Sequence, residues 1–154
     1  MRRKNQRGLT LVELIVAFTI LALLTSMAVP LARYRVRIEK EKELRAALTD
    51  IRRAVDAYKD ATIAGKIEVK LGTDGYPESL DQLVEGVKML QSADGKKIKF
   101  LRRIPKDPMT NSFEWGRRST QDDPKSQSWG GQNIFDVYTK STEHARDGTP
   151  YSEW

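Results

Sequence analysis

The pattern of apolar and polar positions changes twice along this chain. Over residues 9–32 it is almost continuously apolar, with charge only at Glu13 and a proline at Pro30. After that, charged residues dominate, yet Leu44, Leu48, Ile51, Val55 and Tyr58 recur at spacings of four and three. That period marks one apolar face of an α-helix. Beyond Gly65 the pattern breaks into short apolar clusters separated by Gly, Pro, Asp and Asn, the punctuation of turns and short strands.

The first two patterns predict one helix over 9–64. No glycine or proline interrupts 31–64, and Gly65 is a stop signal. Residues 9–32 are long enough to cross a membrane, since about 20 residues rising ~1.5 Å each span a hydrocarbon core of about 30 Å. Pro30 lacks an N–H and crowds the preceding turn, so a kink or loosened turn is expected there. The seam from Leu44 to Tyr58 is expected to lie under a small head. A coiled-coil partner is the other use of such a seam.

In the remainder, 77–85 reads as a short helix with Pro77 at its first position and Gly86 at its end. Residues 97–101 alternate and predict a strand. Residues 113–117 predict a second, and 133–139 the best by propensity. Residues 104–111, with Pro105 and Pro108, read as turns, and 120–131 as a polar surface loop. The tail 147–154 ends on Tyr151 and Trp154 and is expected to dock. The fold class is therefore α+β: a long N-terminal helix, transmembrane then amphipathic, packed on a small antiparallel sheet of about three strands. The chain divides into a basic leader, 1–8, a transmembrane half-helix, 9–32, an amphipathic half, 33–64, and a globular head, 65–154.

Charge refines this picture. The formal net charge is +6 and the mean hydropathy −0.57, an average over a greasy end and a polar body. Four of the 27 basic residues lie in the leader at Arg2, Arg3, Lys4 and Arg7; the 23 that remain face 21 acidic residues. The basic balance is thus largely a leader property. It places the leader on the cytoplasmic side of a membrane and gives no clustered face for nucleic acid, which is not expected as a partner. With no cysteine and a single histidine, His144, disulfides and Cys/His zinc sites are excluded. No nucleophile elbow or phosphate-binding glycine loop is present, so no catalytic residue can be nominated and no enzyme activity is expected.

Glu13 is the first functional candidate. A carboxylate inside an apolar span is costly in lipid. Cutting the chain at the Gly8–Leu9 junction would create a positive amine one helical turn away. Glu13 can then pair with its own amine or with that of a neighbouring parallel helix; only the second pairing sets the register of an incoming subunit. The alternative is a protonated or snorkelling carboxylate on a simple anchor.

The leader, the Gly8–Leu9 junction, Glu13, the apolar run and Pro30 together resemble the processing signal of the type IV pilin superfamily. The resemblance implies cleavage between Gly8 and Leu9 by an inner-membrane prepilin peptidase, N-methylation of Leu9, and an assembly role for Glu13. Leu9 departs mildly from the Phe often found there. Pro30 is either a passive helix kink or the place where the helix melts when the filament stretches. In the head, Tyr76-Pro77-Glu78-Ser79-Leu80-Asp81-Gln82-Leu83, Ile104-Pro105-Lys106-Asp107-Pro108, Phe113-Glu114-Trp115 and Ile134-Phe135-Asp136-Val137-Tyr138 look like the major, G-type pseudopilins of type II secretion. That resemblance implies a single-pass inner-membrane protein with its N-terminus in the cytoplasm and its head in the periplasm. Its partners would be membrane lipid, copies of itself in a helical homopolymer, minor pseudopilins, and an assembly platform with a cytoplasmic ATPase. It would serve as a structural subunit of a pseudopilus that drives protein export across the outer membrane.

The same resemblance implies calcium in the C-terminal loops. The oxygen donors available are Asp136, Glu143, Asp147 and Glu153, although the Asp-rich spacing of the family is not reproduced. An ordinary polar loop is the other reading. Two competing functions remain: a major or minor pilin of a type IV pilus, which commonly closes a C-terminal loop with a disulfide, and a membrane-tethered binding module, which would keep its leader.

Overall fold

The computed structural model describes residues 10–90 and 95–154. Helix α1 runs from Leu11 to Ile63 and contains Pro30. Residues on both sides of Pro30 are helical, although this proline has no N–H to return to the carbonyl four residues earlier. The helix ends as expected at Gly65, which adopts φ 64. The Lys66 amide donates to the Ala61 carbonyl and the Gly65 amide to the Thr62 carbonyl, both at 3.0 Å. Those paired bonds satisfy carbonyls that a helix end otherwise orphans, and glycine adopts the left-handed turn without steric cost.

The chain forms two compact units, Met1–Glu39 and Lys40–Trp154. In the first, every described residue from 10 to 37 is exposed, including Leu11, Leu14, Phe18, Leu21 and Leu24. Among the described residues, one helix, near the N-terminus, is long and apolar enough to cross a membrane.

The second unit closes around its own core. Leu44, Leu48, Ile51, Val55 and Tyr58, the seam read from the sequence, are all buried, and Ala47, Ala54 and Ala61 join them. They pack with Leu80, Leu83, Trp115, Ile134, Val137 and Tyr151. Burying a large aliphatic side chain is worth roughly 1.5–3 kcal/mol, so this seam is a principal contributor to the unit's stability.

Helix α2 is shorter than expected, Leu80–Glu85 with Ser79 as its N-cap. Pro77 is not its first residue. The Pro77 carbonyl accepts the Ile134 amide at 2.7 Å, which commits this stretch to a tertiary link, and Ser79 is still extended at φ −146. Gly86 caps the far end at φ 81. A Cβ there would also lie 2.6 Å from the Ile98 carbonyl oxygen, so two constraints demand glycine.

The antiparallel part is built as two separate two-stranded ladders rather than one sheet of about three strands. In the first, β1 (Val87–Lys88) pairs with β2 (Lys97–Ile98) in the register Val87 to Ile98. The expected strand over 97–101 stops early because the Phe100 and Leu101 amides both turn to the Leu83 carbonyl, at 2.9 Å. In the second, β3 (Gly116–Arg118) pairs with β4 (Asp136–Tyr138), Arg117 opposite Val137. Gly116 faces Tyr138, whose ring fills the space a Cβ would take. The strand expected over 133–139 is shortened at its start. Buried Asn133 instead cross-links loops, donating to the Thr73 carbonyl and the Thr120 hydroxyl at 3.0 and 3.1 Å. The tail docks as predicted: a 3-10 turn, Tyr151–Glu153, buries Tyr151 completely.

Candidate functional site

Gly8 and Leu9, the predicted cleavage and methylation residues, lie outside the described residues. The site begins at Thr10, immediately before α1. The Thr10 amide and hydroxyl each donate to Glu13 Oε2 at 3.3 Å, and the Glu13 amide donates back to the Thr10 hydroxyl at 3.2 Å. This is a reciprocal capping box, which satisfies amides that no helical carbonyl can reach. Glu13 therefore has a partner within its own chain, a role the sequence reading missed. Thr-x-x-Glu directly before an apolar run was the available signal. All three contacts are long and solvent-exposed, so a stronger partner can displace them. Glu13 sits among exposed apolar neighbours, Val12, Leu14, Ile15 and Val16, and it is the acidic residue of α1's first turn.

The four carboxylates considered for calcium do not converge. Asp136 accepts from Arg52 Nε at Oδ1, 2.7 Å, and faces Arg118 Nη1 at Oδ2, 3.5 Å. Glu153 pairs with Lys125 at 3.2 Å. Asp147 Oδ1 accepts the Thr149 amide at 3.0 Å; that backbone bond, with help from the Thr149 side chain, holds its carboxyl below the usual range. Glu143 is exposed, its amide bonded to the Ser141 hydroxyl and its carbonyl taken by the Tyr151 amide. Calcium needs six to eight oxygens around one point. Among the described residues no group of three or more His, Asp or Glu side chains is placed to hold a metal. A guanidinium at each oxygen of Asp136 is the opposite of a cation site, so these four residues do not fit a shared calcium ion.

Two other features escaped the sequence reading. Asp107, fully buried, accepts the Met109 amide at 2.8 Å, the Thr110 hydroxyl at 3.0 Å and the Thr139 hydroxyl at 2.6 Å. It ties the proline-rich turn to the end of β4. In the polar loop, Asp122 Oδ2 accepts the Ser119 amide at 2.7 Å and the Gly130 amide at 3.1 Å. Those two backbone donors, Ser119 first, hold the Asp122 carboxyl below its ordinary value. The tryptophans serve packing. Trp115 donates to the Pro105 carbonyl, Trp129 to the Asn133 carbonyl, and Trp154 stacks edge-on with Tyr151. A basic groove beside α1 is lined by Arg53, Arg102, Arg103 and Lys106, with Phe100 and Phe113 and a single acid, Asp50.

Comparisons with known proteins bear on both units. Residues 3–29 match the family model of the prokaryotic N-terminal methylation motif. Over 153 residues, the chain is 28% identical to the type II secretion system core protein G of Pseudomonas aeruginosa, covering 97% of this chain and 92% of the relative. No solved structure gives a significant match. Both likenesses are to structural proteins rather than enzymes. The chain thus resembles type IV pilin-like precursors in its N-terminal methylation motif and is distantly similar, over nearly its whole length, to the type II secretion system core protein G.

Proposed function

We propose that this chain is a structural subunit of a type II secretion pseudopilus, made as a precursor and polymerised at the inner membrane. The observation that carries the reading is the joining of two parts. A methylation motif spans residues 3–29, and the likeness to core protein G continues through the head. The structure supports it physically. The described apolar side chains of α1's first part are exposed, which suits lipid first and neighbouring helices afterwards, while the head is closed around a core of its own.

In this reading the leader stays in the cytoplasm and the head lies in the periplasm. A prepilin peptidase cuts between Gly8 and Leu9, and Leu9 becomes the methylated N-terminus. Before the cut, Glu13 is held, among the described residues, by Thr10. Afterwards a positive amine competes for it, and in a low-dielectric surround an ion pair outweighs two long bonds from uncharged donors. Pairing with the amine of an adjacent subunit aligns the incoming helix. Pro30 supplies a weak point where the helix can yield as the filament grows. Growth is driven by a separate ATPase through the assembly platform, with minor pseudopilins as further partners, and it pushes folded cargo toward an outer-membrane channel.

The test separates processing from assembly. Expressed with a prepilin peptidase and the assembly components, the wild type should lose residues 1–8, shown by the mass of the mature N-terminal peptide, and should form filaments. Glu13→Ala should be cut normally and fail to form filaments. Retention of the leader in the wild type would point to a plain anchor. Abundant filaments from Glu13→Ala would remove Glu13 from the mechanism.

A further inference from the structure

Two arginines gather one carboxylate and several backbone carbonyls at the C-terminal end of the head. Arg52, on α1, donates through Nε to Asp136 at 2.7 Å and through Nη2 to the carbonyls of Val137 and Trp154, at 3.3 and 2.7 Å. Arg118, on β3, donates through Nε to the Ser126 carbonyl at 2.9 Å and through Nη2 to the Ser152 carbonyl at 3.1 Å. Its Nη1 reaches the second oxygen of Asp136, and its guanidinium lies 4.1 Å over the Tyr138 ring. The Arg118 side chain is only 6% exposed. Arg45 adds a third contact, stacked 3.8 Å from the Trp154 ring centre.

We propose that Arg52 and Arg118 form a guanidinium clamp on Asp136 and the 152–154 carbonyls, closing the C-terminal segment onto the head without metal. The physics favours this assignment. A guanidinium is a permanent cation with donors in a fixed planar fork, so it can bind carboxylate and carbonyl oxygens in several directions at once. Two such cations flanking Asp136 repel a divalent ion from the one carboxylate best placed to bind it. A calcium-held loop opens when the ion is stripped, whereas an arginine does not dissociate and stays charged at any physiological pH. The head of this chain is therefore built to keep its closed form when free calcium is scarce. This goes beyond the role in secretion and does not depend on it, since its test reads folding of the head.

The test uses the full chain in detergent micelles, followed by near-ultraviolet circular dichroism, because all three tryptophans lie in the head. Wild-type melting should be the same in excess EDTA and in excess calcium. Arg52→Gln should lower the melting temperature by roughly 5 °C and Arg118→Gln by roughly 10 °C, as expected for breaking part-buried charged hydrogen bonds. In both variants amide exchange at 151–154 should accelerate. Combining the two should cost less than their sum, because they share Asp136. If Arg118→Gln does not fold, Arg52→Gln carries the test, since its side chain is 38% exposed. A wild-type melting temperature that falls in EDTA and recovers with calcium would overturn the proposal. So would an Arg52→Gln head with unchanged melting and exchange.

Discussion

Helix α1 begins in one compact unit and ends in the other, and its residues obey different rules in each. Leu21 and Leu24 are exposed at 62% and 61%, while Leu44 and Ile51 are at 0%. The residue types are nearly the same, and what differs is the surround the fold supplies. Up to Ala32 the helix offers apolar surface nearly all round, which water does not tolerate and lipid or other helices do. From Lys40 onward it offers a stripe, because only one face has a head to meet. The carboxylates show the same contrast. The Glu13 carboxylate accepts two long, exposed bonds from Thr10, whereas that of Asp107 is sealed in with three bonds of 2.6 to 3.0 Å. One is tied loosely enough to change partner, and the other is structural.

That contrast breaks most visibly under core truncation. Ile51→Ala should destabilise the head by about 2–5 kcal/mol, measured by thermal melting of the full chain in micelles. Leu21→Ala should leave the same transition in place. Equal effects would mean that the first unit is not independent of head folding. Next in size, Asp107→Ala should cost about 2–4 kcal/mol, because it strands the Met109 amide and two hydroxyls; a near-neutral result in the same melting experiment would deny it a structural role. Gly116→Ala should cost about 1–3 kcal/mol by forcing the Tyr138 ring off its site, with a matching change in tyrosine near-ultraviolet signal.

Smaller effects sharpen the other side. Thr10→Ala removes half of the capping box and should weaken the first turn of α1 by about 0.5–1 kcal/mol. Amide exchange should quicken at 11–14, with head melting untouched. Smallest is the acid response. The carboxyls of Asp122 and Asp147 are held below their usual values by backbone donors. The stability they contribute is therefore present above the unfolded-state value of about 3.9 and is lost as pH falls through their lower folded values. Asp122→Asn should flatten head stability against pH below about 4, and an unchanged acid limb would dismiss its contribution.

Local periodicity was enough to read α1, its glycine stop and its buried seam, because a helix makes its hydrogen bonds within a few residues of sequence. The start of the anchor and the lone Glu13 were equally legible, since a charge in an apolar run stands out whatever the fold. The head's ladders were not. Two- and three-residue strands depend on which carbonyl wins a given amide, and Leu83, Pro77 and Thr73 settle that from far away in sequence. That the four carboxylates named for calcium do not converge was illegible for the same reason. Asp136 reads as a free oxygen donor until Arg52, distant in sequence on α1, is seen beside it.

The sequence alone thus determined a long helix with one charged residue in its apolar part, a small α+β head, and a methylation motif over residues 3–29. Those features depend on neighbours along the chain or on bulk partition between water and lipid. Tertiary structure alone decided what the head's polar side chains touch: Asp107 on Thr139, and Asp136 between two guanidiniums. Such pairings are set by which remote segments meet, and a residue's type states only what it can bond to, not which partner the fold will bring.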